Sequence, residues 1–253
     1  MKENTASSST ERINRFLVRC GIASRRESDR MIIAGRVRIN GELLQQPGAQ
    51  VGAADRVEVD GKVVQAKTEY SYYVYNKPRG MLCARKDSRD RPLIYDKLDV
   101  SPSVQSVGRL DMDSEGLLIL TDDGAFTQAL ILPASKVSRT YRVRVAGHLE
   151  LETLESLRRG GINMGRGDSS APWDVLVDSE TGGHSWLRVT LQRGRWREVR
   201  RTLEACQHPV RRLLRVQFGS LSLEPTLAPG EIRPLKAREV RALRHTVNTL
   251  PSS

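Results

Sequence analysis

The pattern of apolar and polar residues predicts two short helices at the start of the chain. Apolar residues recur at helical spacing at Ile13, Phe16, Leu17 and Cys20. Ser24 is followed three residues later by Glu27, which is the spacing of a helix-capping box, and Gly35 is placed where that second helix would end. We therefore expect one helix over residues 11–20 and another between Ser24 and Gly35.

After the second helix the pattern becomes extended. Val37 and Ile39 alternate with polar residues, and the pairs Asn40–Gly41 and Asp60–Gly61 are typical of tight hairpin turns. The two helices and these strands form a small module over residues 11–63. We expect residues 64–69 to be a linker. Residues 1–10 have no apolar centre and are expected to be a disordered tail.

The rest of the chain mixes strand and helix patterns. Strands are predicted within 73–75, 117–121, 141–145, 173–177, 186–191 and 213–223. Helices are predicted within 125–132, 151–157 and 196–206. This mixture indicates an α+β domain over residues 70–235, followed by a basic C-terminal tail over 236–253 that begins with a short helix.

Charge and cysteine content narrow the possible functions. Lysine and arginine number 41 against 30 acidic residues, a net charge of +11, which predicts a polyanionic partner. The three cysteines, Cys20, Cys83 and Cys206, form no CxxC pair, so neither a disulfide framework nor a metal site is expected. No apolar run reaches the roughly 18 residues of a membrane span. These features favour a cytoplasmic protein.

Two segments concentrate the arginines. Residues 12–38 hold eight arginines against two acidic residues, and residues 193–215 again hold eight against two, a local charge of +6 in each. A run of charge is often only a solvated surface, and that alternative stands for each segment alone. Arg195, Arg197 and Arg200 lie around a predicted helix start, where the helix dipole disfavours cations unless an anion is nearby.

The stretch VGRLDMDSEGLLILTDDG, residues 107–124, places three carboxylates before a buried strand. Asp111, Asp113 and Glu115 lie in a sharp turn that leads into the apolar run. A loop fixed by a buried strand is a frequent position for catalytic side chains, which makes Asp111 the candidate. The spacing also partly matches a calcium loop, but no helix precedes it and Asp122 stands where glutamate is expected. A plain acidic surface turn is the other alternative.

GRLD followed by GLLILT and DDG resembles the catalytic motif of pseudouridine synthases, in particular the bacterial ribosomal RNA enzymes that carry an S4 domain. The turn NKPRG at 76–80 resembles the entry to the same catalytic domain. The resemblance implies that Asp111 is the nucleophile and that Tyr141, in a strand, stacks on the target base. In RWREVRR it implies that Arg200 pairs with the catalytic aspartate. Two positions depart from the family: Arg139 replaces the usual lysine and Glu198 the usual glutamine.

The arginine-rich start of the chain, RINRFLVRCGIASRRESDRMIIAGRVRING, resembles the S4 RNA-binding domain. The resemblance implies that its basic face binds phosphates, which provide affinity rather than sequence choice. The candidate RNA contacts in this module are Arg12, Ser24, Arg25, Arg26 and Arg36. The candidates in the second domain are Arg109, Arg195, Arg197 and Arg201.

We therefore expect an S4 module joined to an α+β catalytic domain with a mixed, mainly antiparallel sheet and flanking helices. The expected activity is isomerisation of one uridine of ribosomal RNA, preferably of the large subunit, to pseudouridine. The expected partner is ribosomal RNA or a ribosomal subunit precursor. We expect a monomer, and the chemistry of this isomerisation requires no metal and no small-molecule cofactor. The alternative is a non-catalytic RNA-binding assembly factor that keeps the same fold.

Overall fold

The structure is a computed structural model that describes residues 10–248. The tail predicted over residues 1–10 lies outside the described residues apart from Thr10, and so do the last five residues of the predicted basic tail. The described chain forms two compact units. The first contains residues 10–71 with Ser101–Gln105 and Thr121–Gly124, and the second contains the remainder.

The first unit contains the predicted helix and hairpin module. Its elements are β1 (Glu11–Arg12), α1 (Ile13–Arg19), α2 (Arg25–Ile33), β2 (Val37–Ile39), β3 (Glu42–Leu43), β4 (Gln50–Val51), β5 (Val57–Val59) and β6 (Lys62–Val63). The helix predicted over 11–20 begins two residues late, because β1 pairs antiparallel with β4. Ser24 caps α2 as predicted, since its Oγ accepts a hydrogen bond from the Glu27 amide.

The hairpin turns of this unit are confirmed. Asn40 and Gly41 both have positive φ, 53° and 86°, and they join β2 to β3. Asp60 and Gly61 do the same between β5 and β6, with φ of 51° and 77°. Positive φ at both central residues is the geometry of a two-residue hairpin turn, which asparagine, aspartate and glycine tolerate best.

The second unit is built around a nine-stranded sheet. Its strands are β7 (Tyr72–Lys77), β8 (Gln105–Ser106), β9 (Glu115–Thr121), β10 (Arg139–Ala146), β11 (Asp174–Thr181), β12 (His184–Leu191), β13 (Val210–Phe218), β14 (Leu221–Ser222) and β15 (Ile232–Pro234). The central order is β11-β12-β10-β13-β9-β7-β15. The pairs with a defined register are antiparallel except β9 with β13, which is parallel. The predicted α+β class with a mixed, mainly antiparallel sheet is confirmed.

Four α-helices flank this sheet. They are α3 (Gly124–Ile131), α4 (Leu151–Arg159), α5 (Glu198–Ala205) and α6 (Ala237–Asn248). Apolar residues of the helices and strands pack into one buried cluster. It includes Leu117 and Ile119 of β9, Phe126 and Leu130 of α3, and Leu243 of α6. Because Leu243 of α6 is fully buried there, the predicted boundary at 235 is corrected: the helix continues the core of the second unit.

Helix α5 also differs from its prediction. The spacing of Trp196, Val199, Leu203 and Cys206 predicted one helix through all four residues. The helix instead begins at Glu198, because Arg197 has the left-handed conformation with φ of 49°. Trp196 therefore leaves the apolar face, and 52% of it is exposed.

None of the helices between residues 10 and 248 combines the length and the apolar character of a membrane span.

Candidate active site

Asp111 begins a tight turn that leads directly into the buried strand β9. The amide of Ser114 donates to the carbonyl of Asp111 at 3.0 Å, which closes the turn over Met112 and Asp113. The Asp111 carboxylate remains 35% exposed. The turn thus presents a carboxylate on a rigid support, because the residues after it belong to the sheet core.

The buried side chain of Lys77 anchors the Asp111 turn through hydrogen bonds to backbone carbonyls. It lies at the end of β7 in the NKPRG motif and is fully buried. Its Nζ donates to the carbonyls of Ser114 at 2.8 Å, Pro78 at 3.0 Å and Met112 at 3.4 Å. Burial lowers the pKa of Lys77, and the charges of Cys83, Asp113 and Asp111 oppose that shift. The sequence analysis missed Lys77 as a site residue, although the NKPRG motif was the signal for it.

Two arginines of the RWREVRR segment meet the turn. Arg197 donates to both carboxylate oxygens of Asp113, at 3.1 and 3.3 Å, and its Nη1 lies 3.7 Å from Oδ2 of Asp111. Arg200 donates from Nη2 to the Asp113 carbonyl at 2.8 Å, and its Nε forms an ion pair with the Asp113 carboxylate at 3.3 Å.

The predicted pairing of Arg200 with Asp111 is therefore corrected. Arg200 pairs with Asp113, and Arg197 is the arginine that reaches Asp111. Arg200 is 8% exposed and buried against the turn, whereas the side chain of Arg197 is one third exposed. Arg200 thus holds the backbone and the neighbouring carboxylate, while Arg197 supplies the positive charge beside Asp111.

The ionisation of Asp113 follows from these contacts. Burial alone would raise its pKa, but the hydrogen bond from Arg197 and the charges of Arg200 and Arg197 outweigh burial and hold the pKa below 3.8. The same hydrogen bond raises the pKa of Arg197. Asp113 is thus a permanent anion at neutral pH that keeps two arginines in place.

This arrangement predicts a specific pH dependence for Asp113→Asn. A lowered pKa in the folded state stabilises the protein at pH above the unfolded value of 3.8, and the contribution disappears as pH falls through the lower folded value. We expect the wild type to exceed the variant in unfolding free energy near neutral pH, with the difference shrinking in strong acid. Urea unfolding across a pH series measures it. The difference in unfolding free energy between wild type and Asp113→Asn should depend on pH and should shrink when Arg197 is replaced by alanine. A difference independent of pH, or one unchanged by Arg197→Ala, would contradict the pairing of Asp113 with Arg197.

The three carboxylates of the turn do not converge on a common ligand. Asp111 and Asp113 face Arg197, while Glu115 forms an ion pair with Arg212 at 2.8 Å. Within residues 10–248 no group of three His, Cys, Asp or Glu side chains is placed to bind a metal. The calcium alternative has no support in this geometry, because each carboxylate already faces an arginine.

Asp111 lines a cleft of about 1640 Å³ whose walls come from the second unit. Tyr141 of β10 lines the same cleft and is 9% exposed. Strand β10 lies between β12 and β13, so Tyr141 is opposite Val189 on one side and Arg215 on the other. Of the other site residues predicted in this domain, Arg109, Arg195 and Arg197 also line the cleft, whereas Arg200 and Arg201 do not belong to its lining. The structure therefore brings Asp111 and Tyr141, 30 residues apart in sequence, to one cavity.

The four arginines predicted as RNA contacts in this domain differ in how accessible their guanidinium groups are, and that of Arg197 is paired with Asp113. Arg109 is exposed at the cleft. Arg195 is also exposed and forms an ion pair with Asp168 at 3.3 Å. Arg201 donates to the carbonyls of Met164 and Gly165 and to the carboxylate of Asp168. Its guanidinium is therefore engaged in hydrogen bonds within the protein and is less available to RNA than that of Arg109.

A sequence model of the RNA pseudouridylate synthase family matches residues 71–205, which is more than half of the chain. The chain belongs to this family. A second model, of the S4 domain, matches residues 11–57. Both predicted modules are thereby confirmed at the family level.

Relatives of this chain agree with that assignment. It is 35% identical over 236 residues to ribosomal large subunit pseudouridine synthase B of Bacillus subtilis (strain 168), covering 92% of this chain and 96% of the relative. It is 36% identical over 258 residues to the protein of the same name from Xylella fastidiosa (strain 9a5c), covering 96% of this chain and 53% of the relative. The chain thus spans about half the length of the Xylella relatives that it matches.

A solved structure is also similar to this chain. The crystal structure of a pseudouridylate synthase superimposes with a TM-score of 0.67 at 27% sequence identity, covering 92% of this chain and 99% of the other.

The two departures from the family motifs have structural explanations in this chain. Arg139 donates from Nη1 to the carbonyls of Val137 at 3.0 Å and Gln192 at 2.9 Å, so one nitrogen of its guanidinium joins two backbone segments. Glu198 accepts a hydrogen bond from the Arg195 amide at 3.0 Å through Oε2. A glutamine carbonyl oxygen accepts equally well, so the substitution preserves this contact.

Proposed function

We propose that this protein converts a uridine of large-subunit ribosomal RNA to pseudouridine with Asp111 as the nucleophile. The observation that carries the proposal is the position of Asp111: a partly exposed carboxylate in a cleft, 3.7 Å from the Arg197 guanidinium and on a turn anchored by Lys77. The names of the Bacillus and Xylella relatives support the choice of the large subunit.

The reaction suits a single nucleophilic carboxylate. The bond from ribose C1′ to uracil N1 breaks, the base turns, and C1′ bonds to C5 instead. C5 loses its proton to solvent while N1 ends protonated, so the atoms balance and nothing is oxidised. Asp111 forms and releases the covalent bond, and Arg197 holds its carboxylate in place. This chemistry requires neither a metal nor a redox cofactor.

The cleft also meets the other needs of the reaction. A uridine must leave its stacked position, at a cost of a few kcal/mol, and an aromatic side chain can receive it. Tyr141 offers that surface in the wall of the cleft.

The S4 module supplies phosphate contacts in this proposal. Arg12, Arg25 and Arg26 are exposed and suited to that role. Ser24 already caps α2 with its hydroxyl, and Arg36 pairs with Asp60 at 2.6 Å, so both act mainly by shaping the basic face. We place the reaction in the cytoplasm, where ribosomal RNA is found, and propose that the protein acts as a monomer.

The test is pseudouridine mapping of ribosomal RNA from cells that lack this protein. We expect one site in large-subunit RNA to disappear, to return with the wild-type gene, and to stay absent with Asp111→Ala. If every pseudouridine persists without the protein, the synthase proposal fails and the non-catalytic assembly factor becomes the better explanation. Rescue by Asp111→Ala would instead retain the activity and reject the nucleophile.

A further inference from the structure

Trp196 is an exposed aromatic residue in the wall of the cleft. The chain has three tryptophans, and the other two are more enclosed: Trp173 is 3% exposed and Trp186 is half-buried in β12. Trp196 is 52% exposed and belongs to the segment that turns into α5. A large apolar ring at the edge of a basic cleft provides a contact surface for a ligand with both apolar faces and negative charge.

The ring of Trp196 is held against a fixed guanidinium. The Arg201 Cζ lies 5.4 Å from the centre of the ring. Arg201 is itself restrained by hydrogen bonds to the carbonyl of Gly165 at 2.7 Å and to Asp168 at 2.9 Å, and it also donates to the Trp196 carbonyl at 3.3 Å. A ring supported in this way loses little conformational freedom when a ligand binds.

Arg166 brings a second positive charge to the same ring. Its Cζ lies 4.6 Å from the ring centre, and the residue is exposed. It sits between two glycines in a turn where Gly165, Arg166 and Gly167 all have positive φ. The turn projects an arginine beside the aromatic surface, so a flat apolar face and a cation are presented together.

We propose that Trp196 and Arg166 form a subsite for one unpaired nucleotide that flanks the target uridine. The base stacks on the indole ring, and the Arg166 guanidinium binds the adjoining phosphate. Stacking is tolerant of base identity, so the subsite positions the RNA strand without reading its sequence. This inference rests on the proposed function, since it assigns the nucleotide to the RNA substrate of the same cleft.

Charge favours RNA over a protein partner as the occupant. Three further arginines, Arg193, Arg195 and Arg197, lie within four positions of Trp196 and line the same cleft. A partner that combines flat rings with regularly spaced negative charge matches this surface, and single-stranded RNA has both.

The first test uses Trp196 as its own reporter. In a Trp173→Phe, Trp186→Phe protein, Trp196 is the sole tryptophan. Titration with a short uridine oligoribonucleotide should quench its fluorescence in a saturable way, and an abasic strand of equal length should quench it far less. Equal effects from the two strands, or none from either, would overturn the stacking assignment.

The second test separates the ring from the charge by measuring RNA affinity against salt concentration. Trp196→Ala should weaken binding about tenfold at every salt concentration, and Trp196→Phe should restore most of it. Arg166→Gln should make the logarithmic salt slope shallower by about 0.7, the value for one phosphate of a single strand. Arg188→Gln, an exposed arginine on β12 outside the cleft lining, is the matched control and should change neither affinity nor slope by these amounts.

Catalysis distinguishes this inference from the proposed function. Trp196→Ala should raise the KM for RNA about tenfold, and this change should account for most of its loss in kcat/KM, because the ring acts in binding and not in chemistry. If wild type binds RNA through Trp196 but forms no pseudouridine, the proposed function fails and the subsite stands. If wild type is active and Trp196→Ala binds RNA equally well, the subsite is wrong and a protein partner is the better occupant.

Discussion

Asp111→Asn should give a folded protein that forms no detectable pseudouridine. The amide has the shape of the carboxylate but cannot form the covalent bond to the substrate, so we expect the rate to fall by about 10⁴-fold or more. The measurement is tritium release from ribosomal RNA labelled at uridine C5, because that hydrogen leaves when C5 bonds to C1′. Stability should change by less than about 1 kcal/mol, since the side chain is 35% exposed and its ion pair is long.

Asp178→Asn provides the matched control for this result. Asp178 lies on β11 between two arginines, with Arg188 at 3.2 Å and Arg142 at 3.6 Å, and it does not line the cleft. Its loss removes a similar charge from a similar environment, so tritium release should stay within about threefold of wild type. Activity of Asp111→Asn within tenfold of wild type would move the nucleophile to another carboxylate.

Local features of the fold were predictable because local physical chemistry determines them. The capping of α2 by Ser24 and the turn at Asn40–Gly41 depend on residues within a few positions of each other. Strand β9 was evident for a similar reason, since its run of apolar residues is buried on both faces of the sheet.

Trp196 shows where local spacing fails. Its separation from Val199 and Leu203 places all three on one face only if the helix continues through Arg197. A single left-handed residue at Arg197 ends that continuity and turns the ring outward. Arginine rarely adopts this conformation, so the residue types in this segment did not predict that the helix would begin only at Glu198. The paired carboxylate of Asp113 explains it in the folded protein, because it holds the Arg197 side chain.

The sequence also could not predict which arginine pairs with which carboxylate in the site. Arg197 and Arg200 are separated by one helical turn, and both face a turn that carries Asp111 and Asp113. Which arginine meets which carboxylate depends on the angle at which α5 approaches a segment more than 80 residues earlier. Spacing alone identified the two segments that meet, and the tertiary structure decides the pairing within them.

The largest stability loss is expected for Gly116→Ala. Gly116 follows Glu115 at the start of β9, has φ of 101°, and pairs with Arg215 in the parallel step between β9 and β13. A Cβ there would overlap the carbonyl oxygen of Arg215 and lie 2.9 Å from its amide nitrogen and 2.8 Å from Leu214 Cδ1. The backbone atoms cannot move aside without breaking the strand pair, so the close approach requires glycine.

Two penalties combine in Gly116→Ala. The positive φ costs about 1–2 kcal/mol for a residue with a Cβ, and overpacking costs about 1–3 kcal/mol more. Urea unfolding should therefore show a loss of about 2–5 kcal/mol. Gly161→Ala is the control, because Gly161 has φ of 80° but nothing within 4 Å of its Cβ position, and it should cost about 1–2 kcal/mol. Equal losses in the two variants would mean that the positive φ alone requires the glycine and that the close approach to Arg215 adds no cost.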